Sequence, residues 1–254
     1  MRYLLVLLLL SINSTLYGQK SLIKLLENKQ FHWTKDSSSK QVIIYYQPDS
    51  WTSRRVDSVR QKILLSIDEV KKFVGIAEYK PRIHYFIVEN RIQMKSLVGY
   101  QTNGSAIAKY NIITGVISSN TKILFSNHEL FHVIAMNCWG TPSAWINEGM
   151  AVYSDNKWHG YDLYQLTKYL LDNNRYVSLN ILIRKFRKCD DLLAYPLMGS
   201  FIKYLDDTYG RSTLLEIWKG NSKSLQRITG KDISELEQAW LAKVKTVSYM
   251  DIKY

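Results

Sequence analysis

The segment His128-Glu129-Leu130-Phe131-His132 holds the residues best suited to do chemistry. Two histidines four positions apart share one face of a helix and can grip one metal ion. The glutamate beside the first histidine is then placed next to a water on that metal. Zinc takes such neutral imidazole ligands, and a catalytic site keeps one position open for water or substrate. With 5 His and 9 Glu in 254 residues, random order yields about 0.003 H-E-x-x-H (HExxH) matches. That count weighs against two solvated or core-facing histidines on an ordinary helix.

The elements that must carry the motif can be read around it. Asn120 to Asn137 has apolar residues at helical spacing, Ile123, Leu130 and Ile134, flanked by Phe131 and Val133, which is the stripe a buried helix requires. Its start admits two readings, since Lys122 to Phe125 equally fits a short strand. Cys138-Trp139-Gly140-Thr141-Pro142 stops it. Thr141 or Ser143 can cap a second helix, with Pro142 suited to its first turn, reading Ala144-Trp145-Ile146-Asn147-Glu148-Gly149-Met150-Ala151-Val152-Tyr153. Helix, tight turn and helix bring Glu148 back toward the histidines, with 15 residues between His132 and Glu148. A carboxylate there completes the His₂Glu set of hydrolytic zinc enzymes.

H-E-L-F-H followed by W-I-N-E-G-M-A-V-Y resembles the gluzincin metallopeptidases of the peptidase MA superfamily. The second segment is similar to the W-L-N-E-G-F-A stretch of the aminopeptidase N family, in which the glutamate of N-E-G is the third zinc ligand. The resemblance therefore implies one Zn²⁺ held by His128, His132 and Glu148, with Glu129 as general base in peptide hydrolysis. It is closest over about residues 120 to 155 and weaker to about Gly210. The gap before Glu148 is shorter than that family's usual one, so the turn must be tighter. The G-x-M-E-N segment, which holds a free substrate amino terminus, is missing. The likeness is thus to the catalytic core and not to a true aminopeptidase. That family also carries an oxyanion-stabilising tyrosine in Y-x-K-G. Here Tyr195-Pro-Leu-Met-Gly199 is one residue longer and lacks the lysine, so Tyr195 reads either as that donor or as a packing tyrosine at a helix start.

Arg2, an aliphatic run from Leu4 to Ile12 and a small polar stretch make residues 1–18 a secretory signal peptide, Gly18 being the natural last residue. An uncleaved anchor is the other reading, although the run is short for a bilayer. Export would place the protein outside the cytoplasm, secreted or periplasmic. Removing residues 1–18 takes away only Arg2 and leaves a formal charge of +11. The lysines are scattered, without the dense or aromatic-interleaved patch that nucleic acid requires, so a solvated basic surface is expected. A peptide or protein is the partner implied, and nothing in the sequence specifies an oligomer. Cys138 and Cys189 either form a bridge that braces the site helix or stay as two buried thiols.

Upstream, Gln41–Gln47, Arg82–Val88, Ser105–Tyr110 and Ile112–Ser118 read as strands. Trp51–Tyr79 and Ile92–Val98 read as helices. Beyond Asn120 the pattern is helical throughout: the two site helices, then Tyr161–Asn173, Leu179–Phe186, Tyr195–Tyr209, Ser212–Lys219 and Ile233–Val247. The expectation is an α+β fold, a small N-terminal mixed sheet with helices on a helical C-terminal lobe, with the HExxH helix at the cleft between them. No linker is evident, so residues 19–254 read as one catalytic domain. Asp155 is either a partner that orients a ligand histidine or a surface carboxylate. His159 follows the second site helix and is a substitute donor if Tyr195 only packs. Two rival functions share these ligands: an inactive peptidase-like binding module, and a zinc amidase acting on cell-wall peptides.

Overall fold

The computed structural model describes residues 20–119, 127–249 and 251–254. The expected signal peptide, and Asn120 to Ser126 with the strand alternative at Lys122–Phe125, lie outside the described residues. The chain divides into two compact units, Met1–Phe125 and Ser126–Tyr254.

In the first unit the β-branched and aromatic runs make the strands, as their composition predicts. Strands β2 (Val42–Tyr46), β3 (Ile83–Val88) and β5 (Ile112–Val116) are parallel neighbours in a sheet ordered β1-β2-β3-β5-β4, with Ile44 beside Tyr85 and Tyr85 beside Ile113. The antiparallel edges are β1 (Thr34–Asp36) and β4 (Gly104–Ile107). Every residue of β2 and β5 is buried, the continuous apolar strand of a covered sheet. Residues 20–26 are helical (α1), and α2 (Val56–Val74) makes the crossover from β2 to β3. It buries Val59, Ile63, Ile67, Val70 and Val74 and ends at Gly75, whose φ of 79° suits glycine. Asn90 caps α3 (Arg91–Val98), accepting from the N–H groups of Ile92 and Gln93.

Two expectations for this unit needed correction. The strand expected to reach Tyr110 ends at Ile107, because Ala108–Tyr110 turns as a 3₁₀ helix into left-handed Asn111. The helix expected over Trp51–Tyr79 is shorter at both ends.

Among its described residues the second unit is helical except for one hairpin. It holds α4 (Asn127–Trp139), α5 (Ala144–Asp155), α6 (Leu163–Asp172), α7 (Leu179–Lys185), α8 (Asp191–Tyr209), α9 (Arg211–Gly220), α10 (Ser222–Thr229) and α11 (Ile233–Lys245). The hairpin, β6 (Lys157–Trp158) with β7 (Tyr161–Asp162), went unread in the sequence, as did α10. Its two-residue loop has His159 at φ 51° and Gly160 at φ 89°, the paired left-handed conformation of a tight hairpin turn. Helices α5 and α8 cross through two glycines. A Cβ on Gly149 would stand 2.7 Å from Cγ of Met198, and one on Gly199 would stand 2.5 Å from Cγ1 of Val152. The protein is therefore a mixed α+β structure with a small mixed sheet, as expected. Cys138 and Cys189 are free thiols, and Cys138 is exposed, so neither the bridge nor the buried pair describes them.

Candidate active site

Helix α4 is core on most of its circumference: Leu130, Phe131, Val133, Ile134 and Ala135 are buried. Phe131 sets its ring edge-on to Trp218 at 5.7 Å. His128, Glu129 and His132 take the remaining arc. The helix begins under a carboxylate, because Asp155 Oδ1 accepts from the backbone N–H of Asn127 at 2.7 Å. An anion there satisfies an orphan donor and complements the positive end of the helix dipole. Asp155 thus holds the start of the site helix rather than standing idle at the surface.

Ser143 stands at the N-cap of α5 in extended conformation, so Pro142 precedes the cap instead of entering the first turn. The Ser143 N–H donates to Oδ1 of Asn221 at 2.9 Å, which ties down the turn between the helices. Glu148 lies one turn into α5 and faces α4. Its Oε2 is 3.3 Å from Nε2 of His128 and 3.2 Å from Nε2 of His132. The ligand atoms of these three residues lie within 4.8 Å of one another, the one such group among the described residues. Donors bound tetrahedrally at about 2.0–2.2 Å are separated by about 3.3–3.6 Å. The two separations from Glu148 lie at the short end of that spacing, so the residues fit a metal ion of this type.

The electrostatics follow from enclosure. Burial opposes a charge on His128, but the hydrogen bond with Glu148 and the charges of Glu129, Glu148 and Asp155 outweigh it and raise its pKa. Burial also works against Glu148, yet its bonds to both histidines hold its carboxyl well below the ordinary range. Glu129 is pushed up by burial, a rise only partly countered by His128 and His132. Two carboxyl groups with opposite shifts, Glu129 raised and Glu148 lowered, thus sit in one cluster, a pattern common to functional sites.

Tyr195 is brought to the same place. Its ring lies 6.1 Å from that of His128. Burial foremost, with Glu148 next, raises the pKa of its hydroxyl, which therefore stays protonated at neutral pH. The structure corrects its position in the helix: α8 starts at Asp191, capped by Asp190, which accepts from the N–H of Leu192. Tyr195 is in the second turn, and Pro196 is inside the helix rather than at its head.

Two residues that the sequence reading passed over also reach this cluster. Asn147 pairs its Oδ1 with Nδ1 of His132 at 3.1 Å. Trp158, on the hairpin, stacks on Tyr195 with centroids 5.2 Å apart and planes at 24°. Asn147 was legible in principle as the polar residue next to Glu148 in N-E-G. For Trp158 the signal was Trp-His-Gly-Tyr, two aromatics around a tight-turn glycine. His159 stacks on Trp158 at 4.9 Å and is exposed.

No curated protein matches the chain. Its sequence does match the family described as the peptidase MA superfamily, over residues 64–246. That span covers more than half of the chain and contains both helices of the donor cluster, Tyr195 and Trp158, and on this match the chain belongs to the peptidase MA superfamily.

Proposed function

We propose that the protein is an exported zinc-dependent peptidase, with residues 19–254 as its catalytic domain and a core like that of the aminopeptidase N family. The observation that carries the reading is the convergence of His128, His132 and Glu148 at donor spacing, with Glu129 on the same turn. His128, His132 and Glu148 would hold one Zn²⁺, the two histidines turning their Nε2 atoms toward the Glu148 carboxylate. When bound, zinc supplies Lewis acidity, bringing the pKa of water toward about 7 and polarising a carbonyl.

The chain's own groups do the rest. Glu129 takes a proton at its carboxylate as water adds to the peptide carbonyl, then passes it to the leaving amide nitrogen. Its raised pKa suits both transfers. Tyr195, held protonated by burial, donates its hydroxyl to the oxygen that gains charge, a role worth about 2.7–4 kcal/mol for comparable donors. The substrate is a peptide or protein. Export rests on the apolar run Leu4–Ile12 after Arg2. Among the described residues no helix is long and apolar enough to cross a membrane.

The test is metal analysis of the purified protein joined to a peptide-library assay. About one zinc per chain, with hydrolysis that Glu129→Gln abolishes while zinc is retained, is the expected result. Comparable turnover by the Gln variant ends the general-base role, and inactivity of the parent across broad libraries favours the binding module. Amino-terminal sequencing should find a mature start within residues 15 to 20; an intact Met1 argues against export.

A further inference from the structure

Pro196 has no N–H, so the carbonyl of Leu192, four residues earlier in α8, lacks the partner a helix normally supplies. The hydroxyl of Tyr254 donates to that carbonyl at 2.6 Å. The same oxygen accepts from the indole N–H of Trp158 at 2.8 Å. One hydroxyl therefore joins the proline break in α8 to the β6–β7 hairpin. It does so on either side of Tyr195: Leu192 is three residues before it in the helix, and Trp158 lies against its ring at 5.2 Å. Phe186 packs on the ring as well, 5.2 Å away.

Tyr254 is itself well held. Arg175 donates to its carbonyl at 3.1 Å and sets its guanidinium 5.7 Å from the ring centroid. One residue earlier, the Lys253 carbonyl accepts from the hydroxyl of Tyr161 on β7 at 3.2 Å. His159 approaches the Tyr254 ring at 5.7 Å. Tyr254 is thus fixed from α6's trailing loop and from both strands of the hairpin, while its one free valence pattern, a donor and an acceptor, is spent on the two elements that border Tyr195.

The geometry points to Tyr254 as a positioning residue for Tyr195. Its hydroxyl sets where the Trp158 indole stands and how the proline-broken turn of α8 closes, and these two surfaces decide where the Tyr195 phenol points. The inference rests on the proposed oxyanion role of Tyr195. It assigns no contact between Tyr254 and substrate. The segment around Tyr254 lies outside the matched span of residues 64–246.

The test is Tyr254→Phe, which keeps the ring and its contact with Arg175 and removes only the bridging oxygen. In the zinc-loaded protein, kcat should fall about tenfold with KM and zinc content unchanged. In a Tyr195→Phe background the same change should cost nothing further, since the group being aimed is gone. In the metal-free protein, the ¹⁵N-indole resonance of Trp158, assigned through Trp158→Phe, should move and exchange faster with solvent. An unaltered kcat in Tyr254→Phe, alongside a slow Tyr195→Phe, overturns the positioning role and leaves Tyr195 standing. Equal losses in both backgrounds overturn it in favour of a general structural effect. Full activity in Tyr195→Phe overturns it together with the reading of Tyr195. An unmoved indole resonance also overturns it.

Discussion

His132 and Asn147 meet through Nδ1 and Oδ1 at 3.1 Å, and this bond sets which ring nitrogen of the histidine faces Glu148. An amide oxygen only accepts, so Nδ1 carries a proton, and Nε2 is the ring atom turned toward Glu148. The residue next to Glu148 in the chain thereby orients the histidine that Glu148 approaches. Asn147→Ala should lower zinc affinity about 10–100-fold, the range found when such supporting partners are removed. Asn147→Asp keeps the acceptor and should restore most of it. Competition with a chelator measures both, and parent-like affinity in the Ala protein would show the bond to be incidental.

Glu148→Ala and His132→Ala should each strip most of the zinc from the purified protein. The two Nε2 atoms lie 3.3 and 3.2 Å from Glu148 Oε2, so either change deletes one corner of the donor triangle. Elemental analysis after dialysis decides the matter. Full occupancy in Glu148→Ala would remove it from the ligand set.

Tyr195→Phe removes one oxygen and keeps the ring between Trp158 and Phe186. If the hydroxyl donates mainly in the transition state, kcat should drop by about 10²–10³ with little change in KM. Zinc content and melting temperature should hold. A loss under about threefold, less than 1 kcal/mol, would send the search for a donor to His159.

Gly199→Ala should destabilise the protein by about 1–3 kcal/mol, before about 1 kcal/mol is recovered from helix propensity. The added Cβ would meet Val152 at Cγ1, 2.5 Å, and at Cβ, 3.0 Å. A β-branched side chain on a helix has little freedom to move aside. Val152→Ala should rescue the double variant, so that its melting temperature exceeds that expected from adding the two single effects. Additive losses would show that α5 and α8 do not make their closest approach there.

Where the chemistry is local, the residues alone were enough to read it. The i, i+4 spacing of His128 and His132 needs only a helix to share a face, and Leu130, Phe131 and Ile134 mark that helix as buried. N-E-G supplied both the carboxylate of Glu148 and the glycine that lets α8 come close. Strands β2, β3 and β5 were legible because β-branched and aromatic runs have few other uses. Pairings across long separations emerged only in the folded chain. Tyr254 meets Trp158 across 96 positions and Leu192 across 62, and no periodicity connects such residues. Pro196 shows the difference most directly. Locally, proline marks a helix start, and the sequence reading placed one there. The chain instead runs through it from Asp191, because a helix tolerates a missing N–H when a distant hydroxyl satisfies the carbonyl left over.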